Sequence, residues 1–217
     1  MTDSPHSIDG SADALRRYYR LHAKVYDISR WTFLFGRGDL CRRIARLNPA
    51  PRHVLEVGCG TGVNLAALAR KLPHARLTGL DLSEAMLDRA GRKLRKFGDR
   101  VGLCHRPYDA SFDPHAVEGP PPDCVVFSYA LTMFNPGWDQ AIETAATHLP
   151  AGGVVAVADF HDSAFGAFKK WMALNHVRLD GHLPAKLREH FEPQTALVRR
   201  AYGGIWKYLT FIGRKPS

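Results

Sequence analysis

The stretch His53-Val-Leu-Glu-Val-Gly-Cys-Gly-Thr-Gly-Val-Asn64 decides the fold of this chain. Residues 54–57 form an apolar run typical of a buried parallel strand, and glycines follow at alternate positions, Gly58, Gly60 and Gly62. A helix is predicted to begin directly after them. Glycine has no Cβ, so a ligand can contact the backbone of such a turn, and the helix N-terminus behind it offers unpaired N–H groups. The stretch therefore predicts a nucleotide-type cofactor site at the carboxyl end of a parallel strand.

The spacing of these glycines separates the known nucleotide-binding motifs. A dinucleotide fingerprint requires G-x-G-x-x-G, and Val63 stands where its third glycine belongs. A P-loop requires Gly-Lys-Ser or Gly-Lys-Thr, which this turn does not contain. Glu56, ahead of the turn, would repel a pyrophosphate but can hold a cation. A glycine-rich turn without function in an α/β domain is the alternative.

From residue 53 onward, strand and helix patterns alternate, which predicts a doubly wound parallel sheet. The predicted strands are residues 54–57, 76–81, 101–105, 124–128 and 154–160. The predicted helices are residues 63–72, 83–97, 136–148, 164–177 and 184–190. Two β-rich runs, 196–202 and 205–212, close the chain, and Gly203-Gly204 between them predicts a two-residue hairpin. We therefore expect an α/β, Rossmann-like fold with a mostly parallel, seven-stranded sheet.

The N-terminal region has a different pattern. Residues 1–13 are predicted to be a disordered tail, and residues 14–48 a helical cap before the core of residues 53–217. Within the cap, residues 15–27 form a basic amphipathic helix that can either pack on the domain or lie on anionic lipid. An aromatic connection, 30–37, and a predicted helix, 39–47, complete it.

Composition limits the function classes. The 217 residues are 45% apolar with a net charge of +9, and no apolar run reaches the roughly 18 residues of a membrane span. The four cysteines are widely spaced, which predicts reduced thiols in a cytoplasmic protein, and no zinc spacing is present, so no metal is expected. The positive charge invites nucleic acid, an anionic membrane surface or only solvent.

Two motifs carry a resemblance to a known family. Glu56-Val-Gly-Cys-Gly-Thr-Gly62 resembles motif I of the class I S-adenosylmethionine (SAM) methyltransferases, and Gly79-Leu-Asp-Leu-Ser83 with Met86 resembles motif II. The resemblance implies SAM as cofactor and residues 14–217 as one methyltransferase domain. Asp81 would bind the ribose, Leu82 and Met86 would pack on the adenine, and Asp109 would bind the adenine amino group. The implied cofactor-binding residues are Glu56, Gly58, Cys59, Gly60, Gly62, Asn64, Asp81, Leu82, Met86, Asp109, Ala110 and Ser128.

A closer resemblance covers nearly the whole chain. Tyr18-Tyr19, Tyr26-Asp27, Phe35-Gly36-Arg37 and Ser128-Tyr-Ala-Leu-Thr-Met133 are similar to the bacterial betaine-lipid and phospholipid N-methyltransferases. This implies that the acceptor is the amine of a lipid head group, and that the protein contacts the inner face of an anionic membrane. A quinone or soluble metabolite is the alternative acceptor. An RNA methyltransferase is disfavoured, because no Asn/Asp-Pro-Pro-Tyr/Phe motif follows the fourth strand, and a non-catalytic SAM-binding subunit is a further alternative.

Methyl transfer from a sulfonium requires alignment and a water-poor site more than covalent help. The candidate catalytic residues are Tyr19, Tyr26, Tyr129 and His161. Tyrosine rings near the methyl path would stabilise a cation that forms on the acceptor. His161 or Tyr129 would act as a general base if the acceptor arrives protonated, although the pattern favours a structural or surface role for His161 over that of a base.

Overall fold

The computed structural model describes residues 34–134, 136–174 and 177–217 of the chain. The unit Phe35–Ser217 contains all the elements considered below. The predicted tail 1–13, the predicted helix 15–27 and the candidates Tyr19 and Tyr26 lie outside the described residues.

Seven strands form one sheet, in the order β3-β2-β1-β4-β5-β7-β6. Strands β1 to β5 are parallel to one another, whereas β7 runs antiparallel to both β5 and β6. The strands are β1 His53–Val57, β2 Arg76–Asp81, β3 Val101–His105, β4 Cys124–Ser128, β5 Val154–Asp162, β6 Glu192–Ala201 and β7 Trp206–Arg214. The predicted fold class is confirmed, and three of the predicted strands coincide with β2, β3 and β4.

In the described residues, six α-helices connect or flank these strands. They are α1 Arg37–Ile44, α2 Val63–Lys71, α3 Glu84–Leu94, α4 Trp138–His148, α5 Gly166–Leu174 and α6 Leu183–His190. Every residue of the central strands β1 and β4 is buried, which explains why both read as continuous apolar runs rather than as alternating patterns. No helix of the described residues is long and apolar enough to cross a membrane.

The hairpin prediction at Gly203-Gly204 is wrong. The β6–β7 ladder closes at the pair Ala201 and Trp206, so the connection has four residues rather than two. Both members of that pair are buried, with 2% of their surface exposed, and the ladder ends with them. The connection is a 3₁₀ turn in which Tyr202 and Gly203 have positive φ angles.

Three predicted helix boundaries also differ from the structure. Helix α3 ends at Leu94 rather than near residue 97, because a 3₁₀ segment broken at Gly98 follows it. Helix α4 begins at Trp138 after Gly137, so Pro136 does not occupy its first turn as expected. Helix α1 covers Arg37–Ile44, two residues earlier than its predicted start.

Parallel strands place their carboxyl ends at one edge of a sheet, here called the carboxyl edge and defined by the ends of β1, β2, β4 and β5. The glycine turn, residues 58–62, follows β1, and the loop that contains Leu131–Met133 follows β4. Ligands of open α/β sheets bind outside this edge. The candidate site residues that follow these strands are therefore brought to one side of the molecule.

Candidate active site

The glycine turn has the left-handed backbone that its sequence predicts. Gly58, Gly60 and Gly62 have φ angles of 70°, 53° and 69°. A Cβ on Gly62 would lie 2.7 Å from Leu94 Cδ1, whereas a Cβ on Gly60 would meet nothing within 4 Å. Gly62 therefore permits helix α2 to pack against α3, and Gly60 borders open space at the carboxyl edge.

This contrast predicts different effects for two matched substitutions. Gly62→Ala should lower the free energy of unfolding by about 2–4 kcal/mol, because it combines left-handed strain with a clash in the core. Gly60→Ala should cost only about 1 kcal/mol, since the strain is its main penalty. Urea unfolding of both variants measures the difference. Equal losses of stability would contradict the assignment of the two glycines.

Asp81 lies beside the turn, as the sequence predicted. Its Oδ2 accepts a hydrogen bond from the backbone N–H of Gly60 at 2.7 Å, and its Oδ1 accepts one from the N–H of Ser83 at 2.9 Å. A carboxylate has about four acceptor positions, so both oxygens keep capacity for ligand hydroxyls. Leu82 is 66% exposed and Met86 half-buried next to it, which makes an apolar surface beside the carboxylate.

Glu56 lies in the interior beneath the turn, with 1% of its surface exposed. Its Oε1 accepts a hydrogen bond from Asn64 Nδ2 at 2.7 Å, while its Oε2 has no hydrogen-bond partner among the described residues. Burial raises the pKa of this carboxyl group to about 7, and the charge of Asp81 acts in the same direction. The hydrogen bond from Asn64, the charge of Arg37 and a backbone hydrogen bond from Leu65 act in the opposite direction. A buried acceptor without a donor is costly, so the position suits a ligand with an N–H donor and a positive charge.

Cys59 has a packing role in the turn. A Cβ added to Gly79 would lie 2.8 Å from the Sγ of Cys59, so the thiol is in close contact with strand β2. The N–H of Cys59 donates to Leu80 O at 2.9 Å, which ties the turn to the end of β2. Burial raises the pKa of the thiol, and the side chain is not ionised at neutral pH.

Asp109 closes a turn of its own in the loop after β3. Its Oδ1 accepts hydrogen bonds from the N–H of Ser111 at 2.9 Å and from Ser111 Oγ at 2.6 Å. These bonds hold the pKa of the carboxyl group below its usual value. This is the arrangement of a turn-forming aspartate. The adenine contact of Asp109, and of the exposed Ala110 beside it, stays a prediction.

Ser128 and Tyr129 lie at the end of β4, next to the glycine turn. Ser128 Oγ is buried and has no hydrogen-bond partner among the described residues. Tyr129 has a φ of 56°, its hydroxyl donates to Phe35 O at 2.7 Å, and its ring packs edge-on against Phe160. Burial raises the pKa of this phenol. Tyr129 is therefore unsuited to act as a general base, and its place beside the methyl path stays a prediction.

His161 is the candidate base that the geometry leaves open. It is half-buried near the end of β5, at the irregularity between the paired residues Phe160 and Asp162, and its Nδ1 is buried without a hydrogen-bond partner among the described residues. Burial lowers the pKa of the imidazole, which is therefore neutral at pH 7 and able to accept a proton. A Cβ on Gly181 would lie 3.2 Å from its Cε1, so the loop before α6 packs against the ring.

Sequence reasoning missed the role of Asp159. This fully buried residue accepts hydrogen bonds from Thr132 Oγ1 at 2.5 Å, from the N–H of Thr132 at 3.3 Å and from the N–H of Phe160 at 2.8 Å. It therefore fixes the turn Leu131–Met133 against β5. Burial raises the pKa of its carboxyl group to about 6. The only sequence signal was an acidic residue inside an apolar strand.

Arg37, at the start of α1, is connected to the glycine turn by side-chain hydrogen bonds. Its Nε donates to Asn64 Oδ1 at 3.1 Å. Asn64 thereby lies between Arg37 and Glu56, and the three side chains form a hydrogen-bonded row from α1 to the glycine turn.

Comparisons with known proteins agree with this geometry. Residues 54–153, just under half of the chain, match the family model described as a methyltransferase domain. Residues 54–153 therefore resemble a methyltransferase domain, and the seven-stranded sheet has the class I methyltransferase fold. The motifs, the fold and the family together indicate SAM as its cofactor.

Two curated relatives match parts of the chain. A trans-aconitate 2-methyltransferase of Methylobacterium nodulans is 34% identical over 109 residues, covering 50% of this chain and 38% of the relative. A demethylmenaquinone methyltransferase of Thermotoga maritima is 36% identical over 107 residues, covering 46% of this chain and 45% of the relative. The chain thus spans less than half the length of the curated relatives it matches.

A solved structure matches the whole chain. It is the 1,6-didemethyltoxoflavin-N1-methyltransferase of Burkholderia thailandensis with bound 1,6-didemethyltoxoflavin and S-adenosylhomocysteine. The TM-score is 0.69 at 17% identity, with 100% of this chain and 94% of that chain covered. At this identity the match supports the methyltransferase fold and nothing about the acceptor.

Proposed function

We propose that this chain transfers a methyl group from SAM to a small-molecule acceptor at the carboxyl edge of the sheet. One observation carries the proposal. The buried Oε2 of Glu56, which has no hydrogen-bond partner among the described residues, lies beneath a glycine turn in which the N–H of Gly60 donates to Asp81. This set suits a cofactor that carries both an amino group and ribose hydroxyls. SAM carries its methyl group on a positively charged sulfur, and transfer needs an aligned acceptor.

The residues after β4 and β5 would hold the acceptor. In the part of the chain that the structure describes, the Ser128 hydroxyl has no hydrogen-bond partner, and the rings of Tyr129 and Phe160 pack edge-on beside it, where they would keep water from the methyl path. Alignment and exclusion of water account for most of what the protein must supply in such a transfer. His161 would accept a proton from an acceptor that arrives protonated.

The names of the relatives support a small-molecule acceptor over the lipid head group implied by the sequence resemblance. Trans-aconitate is a small tricarboxylic acid, and demethylmenaquinone is a quinone. Both belong to the alternative acceptor class, a quinone or soluble metabolite. We therefore place a metabolite or quinone first.

A lipid-borne amine is a second candidate, favoured by exposed apolar side chains near the carboxyl edge. Phe165, Trp171 and Leu174, in or next to helix α5, are 55%, 51% and 81% exposed. Lys169 and Lys170 lie on the same helix. Apolar and basic side chains on one short helix suit an anionic membrane surface.

Incubation of the purified protein with methyl-labelled SAM tests both candidates. One reaction receives a small-metabolite extract and another receives a total lipid extract, with Asp81→Ala as a control that should lose cofactor binding. Label in small-metabolite products that depends on Asp81 supports the first candidate, and label confined to lipid products supports the second. Absence of turnover in both extracts, together with no binding of S-adenosylhomocysteine (SAH), contradicts the proposed function.

The role proposed for His161 has its own test. His161→Asn should lower kcat by about 10²–10⁴-fold with an acceptor that must lose a proton, as is usual when a general base is removed. The wild-type rate should fall at acid pH with a midpoint below the usual histidine value of 6.5, because burial lowers the pKa of His161. The exposed His74 provides a matched control, His74→Asn. An unchanged rate and pH profile in His161→Asn would leave His161 a structural residue.

A further inference from the structure

Arg37 lies in the first turn of α1 and reaches the cofactor side of the molecule through one intermediate side chain. Its Nε donates to Asn64 Oδ1 at 3.1 Å, and Asn64 Nδ2 donates to Glu56 Oε1 at 2.7 Å. An amide has one accepting end and one donating end. Because the arginine takes the accepting end of Asn64, the donating end faces Glu56. The row therefore fills Oε1 of the carboxylate and leaves Oε2 without a partner among the described residues.

The residues before Arg37 hold it in place. The carbonyl of Phe35 accepts the hydroxyl of Tyr129 at 2.7 Å. Gly36 has a φ of 82°, and a Cβ there would lie 2.7 Å from Tyr208 Cε2, so the backbone lies directly against that ring. Residues 35–37 thus contact the end of β4 and strand β7 before the side chain of Arg37 enters the row. Arg37 starts from a fixed backbone, and its reach to Asn64 costs little further ordering.

Arg37 is also the cation that faces Glu56. The other titratable groups close to Glu56 are Asp81, whose charge raises the pKa of Glu56, and the thiols of Cys41 and Cys59, which are buried. Arg37 acts against Asp81 and against the burial of Glu56. Among the described residues, Arg37 is the cation whose charge favours the ionised form of Glu56.

We propose that Arg37 is a positioning residue for the cofactor: through Asn64 it holds Glu56 with Oε1 bound and Oε2 presented to the amino group of the ligand. Arg37 lies outside residues 54–153, so this contact is not part of the matched methyltransferase domain. The segment Phe35-Gly36-Arg37 thereby becomes part of the cofactor site. The proposal rests on the proposed function, since it assumes that a SAM-type ligand binds there.

Calorimetric titration of the full chain with SAH tests this role between about pH 6 and about pH 8.5. Arg37→Met should weaken SAH binding roughly tenfold near neutral pH and move the midpoint of the pH dependence upward by about one unit, because a neighbouring cation is lost. Arg43→Met is the matched control, since Arg43 lies on the same helix and pairs with Asp39 at 2.8 Å. This control should change neither the SAH affinity nor the midpoint of its pH dependence.

Arg37→Lys separates charge from geometry and serves if Arg37→Met does not fold. Lysine keeps the cation but lacks the fixed Nε donor, so the pH midpoint should stay in place while SAH binding weakens by about threefold or more. SAH binding by both Arg37 variants equal to that of Arg43→Met would overturn the positioning role and leave the proposed function intact. A folded wild-type chain that binds no SAH at any pH would overturn both.

Discussion

Glu56→Gln should weaken SAH binding about 30- to 100-fold at pH 8.5, the cost of about 2–3 kcal/mol expected when a charge-assisted hydrogen bond is replaced by a neutral one. Wild-type affinity should itself rise with pH as Glu56 ionises around its pKa of about 7, because only the carboxylate attracts the amino group of the ligand. Glutamine cannot ionise, so the variant should bind with little pH dependence between about pH 6 and about pH 8.5. Calorimetric titration with SAH measures both effects.

A stability measurement distinguishes loss of recognition from loss of folding in this variant. The folded-state pKa of Glu56 lies above its ordinary value of 4.5. The folded state therefore holds a proton that the unfolded state has released, and wild-type stability falls as pH rises from about 4.5 to about 7. The stability of Glu56→Gln should not fall in this way with rising pH. The variant should therefore unfold at a urea concentration equal to or higher than that of wild type at pH 8. A variant that is both unstable and unable to bind would contradict the assigned role.

Asp159→Ala should lower the free energy of unfolding by about 3–5 kcal/mol at pH 5. The substitution removes a buried acceptor of three hydrogen bonds and leaves the N–H and hydroxyl of Thr132 without it. The pKa of Asp159 is raised to about 6, so the wild-type chain alone loses stability as pH rises from about 4 to about 6. The difference in the free energy of unfolding between wild type and Asp159→Ala should therefore be smaller at pH 8 than at pH 5.

Urea unfolding at both pH values measures this difference. Glu118→Ala is the control, because Glu118 is 85% exposed in its ion pair with Arg76 and should contribute no more than about 1 kcal/mol. A difference that widens with pH would contradict the assignment of the raised pKa to Asp159. A loss no larger than that of the control would contradict the structural role of the three hydrogen bonds.

Some site residues could be predicted from sequence because their roles depend on local backbone. Gly58, Gly60 and Gly62 need left-handed φ angles in a turn between strand and helix, and the spacing of the glycines reports that directly. Asp81 could be placed for a similar reason, since it is the last residue of a strand whose neighbour ends at the same edge.

Other roles depend on contacts between residues far apart in the chain, which no local pattern reports. Tyr129 reads as a candidate at the methyl path, but its hydroxyl donates to a carbonyl that lies 94 positions earlier. In the sequence, Asp159 is one acidic residue in an apolar strand, and its two donors on Thr132 are visible only once β5 meets the turn after β4. The four-residue connection between β6 and β7 likewise follows from where the buried pair Ala201 and Trp206 ends the ladder.

The stretch 53–64 by itself determined the parallel strand, the glycine turn and the kind of cofactor, because left-handed turns and buried strands depend on residues that are close in sequence. Only the tertiary structure decided what surrounds that turn. Arg37 comes from a helix ahead of the sheet and acts on Glu56 through Asn64, and Asp159 holds the loop beside it. Hydrogen bonds act over about 3 Å whatever the separation in sequence, so these roles appear only when the chain has folded.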